Sequence, residues 1–323
     1  MTAPHGAELA QAVTLLRAGE LVAFPTETVY GLGADAANPA AIRKIFDAKG
    51  RPADHPLIVH LPDASHLDRW AAEVPAQARV LADRFWPGPL TLILRRAPDV
   101  PREVTGGQDT IGLRVPSHPV ALALLAAFDG GIAAPSANRF GRISATTAAH
   151  VRDEFGEAVS LVLDGGSCDV GIESTIVDLS RGTPVVLRPG AIGRPELAEA
   201  LGTPVAGMKT TTTDVPRVPG ALESHYAPST PMRLLARDLL DAQLADLAAT
   251  SAVVGVFAHG PCPDIATAMW IEAPDDARAY ARRLYAALRE LDAVRPVVIL
   301  VERPPDTPEW AAILDRLQRA SHP

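Results

Sequence analysis

The chain is organised around one stretch, which reads Phe46-Asp47-Ala48-Lys49-Gly50-Arg51-Pro52-Ala53-Asp54-His55-Pro56-Leu57-Ile58-Val59-His60. Lys49 and Arg51, two cations separated by a glycine, leave the end of a helical pattern, and an apolar strand that ends in histidine follows Pro56. In a turn of this kind both cations can face one point, which suits an anion. The alternative is a solvated helix C-terminus, where basic residues interact favourably with the helix dipole.

The choice of cation is informative. Of the thirty basic residues only Lys44, Lys49 and Lys209 are lysines, so arginine is the usual cation of this chain. An ammonium is a compact point charge and a guanidinium is a planar fork, and phosphate sites often combine the two. The pair at 49 and 51 therefore fits a phosphate site as well as a surface helix end.

Composition limits the classes of protein to consider. A length of 323 residues with 47% apolar residues predicts two domains. No apolar run is long enough to span a bilayer and no signal-peptide pattern begins the chain, so we expect a cytoplasmic protein without membrane contact. Cys168 and Cys262 are too few for a disulfide framework or a zinc site, and we expect both to be small buried hydrophobes. A net charge of −8 argues against stable DNA binding.

The first polar segment follows a buried strand. Residues 21–24 predict the strand, and residues 25–33, rich in hydroxyls and glycine, follow it where α/β proteins commonly bind ligands. Gly31, Gly33 and Ala36 imitate a dinucleotide fingerprint. In a true fingerprint the helix begins within the glycine loop, whereas Asn38-Pro39 predicts a capped helix over residues 39–48 that begins later.

The rest of the chain before residue 190 alternates between strands and helices, as in α/β proteins. Strands are predicted over residues 57–61, 90–94, 111–115, 132–134, 161–163, 175–179 and 185–187, and helices over 8–17, 64–71, 75–85, 119–128 and 147–155. Ser144 or Thr146 is the predicted cap of the last helix. Arg114 either forks onto a carboxylate or lies exposed on the surface. Ser136 and Asn138 lie in a polar loop that is also typical of an ordinary turn.

The composition changes after residue 206. Four threonines, Thr210 to Thr213, and several prolines predict a linker over residues 207–231, although His225 and Tyr226 are unusual in a flexible segment. From residue 232 the pattern predicts a small Rossmann-like α/β domain. Its strands are predicted over residues 232–235, 253–257, 268–271 and 297–301, and its helices over 238–248, 277–291 and 310–320.

Seven motifs, taken together and in order, resemble the YrdC family in its longer two-domain form. The motifs are Pro25-Thr26-Glu27-Thr28-Val29-Tyr30-Gly31-Leu32-Gly33, Lys49-x-Arg51, Pro56-Leu57-Ile58-Val59-His60, Ser136-x-Asn138, Ser174-Thr175, Arg188-Pro189-Gly190 and His225-Tyr226-Ala227-Pro228. The resemblance implies an α/β fold with a twisted open mixed sheet and a concave groove over residues 1–206, a linker over 207–231 that could close as a lid, and a smaller Rossmann-like domain over 232–323.

The resemblance also implies an activity. L-threonine, bicarbonate and ATP would give threonylcarbamoyl-AMP and pyrophosphate by adenylyl transfer, with Mg²⁺ bound mainly to phosphate oxygens rather than to protein ligands. The product would feed the threonylcarbamoyladenosine modification of tRNA, which a separate transferase completes.

Site residues are carried over position by position. The threonine site implied by the resemblance consists of Thr28, His60, Arg114 and Ser174. The implied ATP site consists of Arg51, His55, Thr110, Ala134, Ser136, Ser144, Arg188 and Tyr226, with His55 standing where the family commonly has asparagine. The pairs with an implied catalytic role are Lys49 with Arg51 and Ser136 with Asn138.

Two other functions stay open at this point. The glycines at 31 and 33, with the Rossmann-like C-terminal pattern, would fit an oxidoreductase that uses a nicotinamide cofactor. A positive groove would fit a module that binds double-stranded RNA without turnover, although the acidic total charge weighs against it.

Overall fold

The computed structural model describes residues 6–207, 215–220, 222, 224–248, 250, 252–263, 265 and 268–322. The chain forms two compact units. The first contains Met1–Phe140 and Ala145–Ala221, and the second contains Gly141–Ser144 and Leu222–Pro323. The short segment Gly141–Ser144 thus belongs with the C-terminal part of the chain, which the sequence did not predict.

The first unit is built on a mixed sheet of ten strands. In chain order these are β1 Val22–Phe24, β2 Gly31–Asp35, β3 Ile58–His60, β4 Leu90–Arg95, β5 Thr110–Arg114, β6 Ile132–Ala133, β7 Leu161–Val162, β8 Thr175–Asp178, β9 Val185–Arg188 and β10 Ala206–Gly207. Their order across the sheet is β10-β9-β8-β4-β5-β3-β6-β2-β1-β7. Strand β5 runs parallel to β3 and antiparallel to β4, and the register places His60 beside Arg114.

Helices pack against this sheet. They are α1 Gly6–Arg17, α2 Pro39–Lys49, α3 Leu67–Trp70, α4 Ala76–Phe85, α5 Pro119–Phe128, α6 Ala148–Phe155 and α7 Arg194–Leu201, with 3₁₀ turns at Ala64–His66 and Gly156–Ala158. Helix α2 begins as predicted, because the Asn38 side chain accepts hydrogen bonds from the amides of Ala40 and Ala41. Lys49 is its last residue. Gly50 caps the helix with a φ of 61°, so the chain turns away from the helix axis before Arg51.

The two faces of the sheet are covered differently. The largest core packs on one face and includes Leu32, Ile45 and Leu113. On the other face a second core joins α1 and α5 to Phe24, and a third, smaller cluster places Val218 against Ile58 and neighbouring strand residues. Residues 215–220 therefore lie on the first unit, over the same sheet face that carries His60.

The second unit is a parallel sheet with helices. Its strands are β11 Met232–Leu235, β12 Val254–Ala258, β13 Ala268–Glu272 and β14 Val298–Glu302, in the order β11-β14-β12-β13. All described pairings among them are parallel. The helices are α8 Arg237–Ala248, α9 Ala277–Ala293 and α10 Ala311–Ala320, with a 3₁₀ turn at Pro308–Trp310. The elements predicted for this region are confirmed to within a few residues.

Several expectations need correction. The predicted ligand loop at Gly31 is strand β2, and helix α7 and strand β10 were not predicted. The cap of α6 is Thr147, whose hydroxyl accepts from the His150 amide, and neither Ser144 nor Thr146 has this role. Both cysteines are free thiols, but Cys262 is exposed and so is no buried hydrophobe.

The nicotinamide alternative fails on the position of its glycines. Gly31 and Gly33 lie inside β2, antiparallel to β1, and open no helix. A Cβ at Gly33 would lie 2.8 Å from the Phe24 ring, so close packing of the two strands requires glycine there. The glycine pattern is therefore a feature of strand packing and forms no phosphate-binding turn.

The predicted linker is described only in part. The threonine run, Thr210 to Thr213, lies outside the described residues. Residues 215–220 belong to the first unit and residues from 222 onward to the second. In the described part of the chain, no helix is long and apolar enough to cross a membrane.

Candidate functional site

Arg114 is the centre of the best-defined polar cluster. It ends β5, is 3% exposed, and donates to three acceptors: Nε to the Gly88 carbonyl at 3.2 Å, Nη1 to Thr28 Oγ1 at 2.9 Å and Nη2 to Glu27 Oε1 at 2.6 Å. The alternative of an exposed surface arginine is wrong. Because Glu27 is also buried, the contact is an ion pair removed from water, which requires good hydrogen-bond geometry at both partners.

The hydroxyl of Thr28 has a defined direction. Arginine can only donate, so Thr28 Oγ1 accepts from Arg114. Thr26 Oγ1 donates to the Val29 carbonyl at 2.6 Å, which uses its only hydrogen. The bond of 2.8 Å between the two threonine hydroxyls is therefore donated by Thr28. A directed chain of hydrogen bonds thus runs from Arg114 through Thr28 to Thr26.

His60 is the cross-strand neighbour of Arg114. Burial, together with the positive charge of Arg114, lowers the pKa of His60 from 6.5 to about 3. Its ring lies perpendicular to that of Phe24, with 5.9 Å between the ring centroids. Nδ1 makes no hydrogen bond of normal geometry to the described residues. At neutral pH the ring is therefore a buried, uncharged imidazole close to the backbone of Ile58 and Ile132.

Ser174 lies just before β8, which is separated from β5 and its Arg114 by one strand, β4. Its hydroxyl is 2.8 Å from Thr91 Oγ1 on β4 and accepts from Arg188 Nη2 at 3.1 Å. The Ser174 carbonyl accepts from Arg188 Nε and Nη2. Arg188 Nη1 donates to the carbonyl of Pro219 at 2.9 Å. Arg188 thereby ties the Ser174 turn to residues 215–220.

A second cluster joins the two predicted catalytic pairs. Lys49 is 3% exposed, and its ammonium donates to the carbonyl of Ser136 at 2.7 Å and to that of Asn138. Burial, and then the charge of Arg51, lowers the pKa of Lys49 well below its usual value. Arg51 Nη2 donates to the Pro56 carbonyl at 3.0 Å, and its guanidinium lies 5.7 Å from the centre of the Phe140 ring. The solvated helix end is therefore wrong for this pair.

Three other predicted ATP-site residues, His55, Ala134 and Thr110, lie in the first unit. His55 is half-buried, with its ring 5.2 Å from that of Phe140, and burial followed by the charge of Arg51 lowers its pKa. The Ala134 amide donates to the Ile58 carbonyl at the start of β3. Thr110 is half-buried at the start of β5, toward the opposite end of that strand from Arg114.

Ser144 and Tyr226 belong to the second unit. The Ser144 carbonyl accepts from Arg289 Nε at 3.3 Å. Tyr226 is buried with a φ of 63°, an uncommon conformation for a residue with a side chain. Its ring stacks on Tyr285 at 5.9 Å and lies 5.2 Å from the Arg316 guanidinium. Both residues are thus held by helices α9 and α10.

Two residues of the Arg114 and Ser174 cluster were not predicted, Glu27 and Thr91. Glu27 is the one charged residue between Leu21 and Ala34, and a lone charge in a buried run needs a buried partner. That signal could have identified Glu27. Thr91 has no such signal, since threonine is common in strands. The Glu27 and Arg114 pair carries no net formal charge.

Two protein families match the chain. Residues 14–190 match the family Sua5/YciO/YrdC, described as "Telomere recombination", and residues 192–322 match the family described as "Threonylcarbamoyl-AMP synthase, C-terminal domain". The predicted resemblance is therefore confirmed for both halves of the chain.

Full-length relatives agree. The chain is 41% identical to the threonylcarbamoyl-AMP synthase of Pyrococcus abyssi, over 96% of this chain and 93% of the relative. It is 39% identical to the Bacillus subtilis protein of the same name, over 97% and 93%. The crystal structure of Pyrococcus abyssi Sua5 complexed with L-threonine matches with a TM-score of 0.91 and 39% identity, covering 98% of this chain and 95% of that one. The predicted fold class is confirmed.

Proposed function

Because the chain belongs to the YrdC family in its two-domain threonylcarbamoyl-AMP synthase form, we propose that it joins L-threonine, bicarbonate and ATP into threonylcarbamoyl-AMP and pyrophosphate. The observation that carries this proposal in the chain itself is the buried Arg114 cluster. It combines a guanidinium with hydrogens to spare, a hydroxyl of fixed direction and a neutral imidazole. These groups suit a small amino acid with a hydroxyl.

We assign threonine to this cluster. Arg114 takes the carboxylate, and Thr28, His60 and Ser174 surround the rest of the molecule. The buried Nδ1 of His60 supports the assignment, because a polar atom left unpaired away from water is unfavourable unless a ligand reaches it. An uncharged imidazole also avoids a second positive charge beside the amine that must react.

We assign ATP to the remaining predicted residues. Lys49 and Arg51 offset the phosphate charge, and Ser136 and Asn138 lie in the loop whose carbonyls Lys49 holds. His55, Thr110, Ala134, Ser144, Arg188 and Tyr226 complete the proposed nucleotide contacts. The residues 215–220 would act as part of a lid, which the hydrogen bond from Arg188 to the Pro219 carbonyl supports.

The proposed reaction needs no protein nucleophile. The amine of threonine attacks bicarbonate, water leaves, and a carbamate forms. A carbamate oxygen then attacks the α-phosphorus of ATP, the bond to the bridging oxygen breaks, and pyrophosphate leaves. Positioning and electrostatic stabilisation are the main contributions that the protein makes to phosphoryl transfer. The enzyme is accordingly proposed to be a nucleotidyltransferase.

Magnesium fits this site as a companion of the nucleotide. Both oxygens of Glu27, the carboxylate of the Arg114 cluster, already accept hydrogen bonds. Among the described residues no group of three or more His, Cys, Asp or Glu side chains is arranged to hold a metal. We therefore propose that phosphate oxygens supply most ligands of Mg²⁺, with Lys49 and Arg51 beside them. When bound, the ion offsets phosphate charge.

The product implies a partner. A mixed anhydride of a carbamate and AMP is reactive, so we propose that it passes to a tRNA threonylcarbamoyl transferase in the cytoplasm. The chain's acidic total charge fits a small-molecule role better than stable binding to DNA or duplex RNA.

The test is release of pyrophosphate from ATP. We expect release that requires both threonine and bicarbonate. Replacing Arg114 with alanine should raise the KM for threonine by about a hundredfold, the effect of losing a charge-assisted pair, and leave the KM for ATP within about threefold. Release without threonine, or an unchanged threonine KM in Arg114→Ala, would contradict the assignment.

A further inference from the structure

Glu27 has both carboxylate oxygens committed. Oε1 accepts from Arg114 Nη2 at 2.6 Å and Oε2 accepts from the Ser117 amide at 3.0 Å. We propose that Glu27 is a positioning residue that fixes the Arg114 guanidinium so that only two of its hydrogens remain for the carboxylate of threonine. This inference rests on the proposed function, because it deepens the role of Arg114 there.

The hydrogens of Arg114 can be counted. A guanidinium has five N–H groups. The Gly88 carbonyl takes the one on Nε, Thr28 takes one on Nη1, and Glu27 takes one on Nη2. Within the described residues this leaves one hydrogen on each terminal nitrogen. A carboxylate approaching Arg114 is therefore limited to the two terminal nitrogens, and the side that includes Nε is blocked.

Glu27 itself is held from three sides. Besides the contact with Arg114, the Ser117 amide binds its side chain and its carbonyl accepts from the Val170 amide at 2.7 Å. It is 6% exposed, so water competes little for these bonds. The Val170 bond holds the main chain of Glu27 and the Ser117 bond holds its carboxylate, so the acceptor presented to the guanidinium has a fixed position.

The charge of the pair makes geometry decisive. Before any substrate arrives, Glu27 already offsets the charge of Arg114 at 2.6 Å. An incoming carboxylate therefore meets no net positive charge in this pair. Its affinity must come from the two directed N–H groups, so a small rotation of the guanidinium should weaken threonine binding strongly.

Glutamine cannot replace Glu27 in this arrangement. Its amide has one acceptor oxygen, whereas Arg114 and Ser117 both present donors. Either orientation of the amide directs its NH₂ at one of these donors and breaks one of the two bonds. Aspartate keeps the charge but is one methylene shorter, so it reaches one donor at a time.

The experiment compares Glu27→Gln and Glu27→Asp with the wild type in the pyrophosphate assay. We expect the KM for threonine to rise about tenfold or more in both variants, while the KM for ATP stays within about twofold. Competition by threoninol, which lacks the carboxylate, should weaken much less than threonine binding, because Glu27 acts mainly through the contact of Arg114 with the carboxylate. If Glu27 had a purely structural role, its variants would change the KM for threonine, the KM for ATP and the competition by threoninol together, or would change only the melting temperature.

A matched control is Glu20→Gln. Glu20 is paired with Lys44 at 2.9 Å in a contact open to water, and no hydrogen bond or ion pair joins it to Arg114, so this variant should behave as the wild type. A lower threonine KM in Glu27→Gln would overturn the inference, since it would mean that the Glu27 charge only weakens Arg114. Equal losses for threonine and threoninol would also overturn it. Failure of the proposed function itself would appear separately, as an unchanged threonine KM in Arg114→Ala.

Discussion

Buried polar residues in this protein act in pairs whose members come from distant parts of the sequence. Arg114 and Glu27 are separated by 87 positions, and Lys49 reaches carbonyls 87 and 89 positions away. Sequence reasoning identified Arg114 and Lys49 from their chemistry and from the resemblance. The lone charge of Glu27 in a buried run indicated that it needs a partner, but the identity of that partner is set by which strands become neighbours.

His60 gives the clearest pH prediction. Its pKa is about 3 in the folded protein and 6.5 in the unfolded chain, so between these values the unfolded chain binds a proton that the folded protein does not. Stability should therefore fall as the pH falls through this window. From pH 7 to pH 5, His60 alone should account for a loss of about 2 kcal/mol in the free energy of unfolding.

Urea unfolding at the two pH values measures this. His60→Gln should lose about 2 kcal/mol less than the wild type between pH 7 and pH 5. The exposed His322 provides the matched variant, and His322→Gln should lose as much as the wild type. Identical pH dependence in His60→Gln and the wild type would show that His60 is not buried and neutral.

At the scale of elements, helix α2 connects the fold to the proposed phosphate site. Its cap at Asn38 and its end at Gly50 fix the direction from which Lys49 enters the protein, and both were predictable from local sequence. The conformation of the loop that contains Ser136 and Asn138, which Lys49 contacts, could not be predicted from local sequence. The loop is held by Lys49, whose ammonium reaches its carbonyls from 87 and 89 positions away in the sequence.

Replacing Lys49 with methionine should test this connection. The carbonyls of Ser136 and Asn138 lose their shared donor, the loop shifts, and turnover should fall by about a hundredfold or more, because displacements near 1 Å are enough to cause such losses. Circular dichroism should show an intact fold. Turnover close to that of the wild type would contradict a role for Lys49 in the site.

Lys44 is the matched control on the same helix. It lies five residues, about 1.4 turns, earlier, and its ammonium pairs with Glu20 in a contact that is open to water. Lys44→Met should keep full turnover. Loss of turnover in this variant as well would mean that α2 as a whole, rather than the Lys49 contact, determines activity.

The β1 and β2 hairpin shows why one element was missed. Residues 31–33 carry two glycines, which usually indicate a turn. In the fold they pack against Phe24, where a side chain at Gly33 would collide with the ring. Glycine is needed there for close approach of two strands, and only the tertiary structure distinguishes this from a loop.

At the scale of the whole molecule, alternation of strands and helices predicted an α/β protein with two domains, and most element positions were correct. The strand order could not be predicted from the sequence, because it depends on pairing between strands that are far apart in the chain, as β4 and β8 are. The sequence also gave no indication that Gly141–Ser144 belongs to the second unit. The roles of the individual site residues stay predictions.

The central claim is that this chain makes threonylcarbamoyl-AMP. The most direct measurement supplies carbon-labelled bicarbonate with threonine and ATP and follows the label into the nucleotide product. We expect one labelled carbon in each molecule of threonylcarbamoyl-AMP, with one pyrophosphate released for each. Consumption of ATP without label in the nucleotide, or label incorporated without threonine, would contradict it.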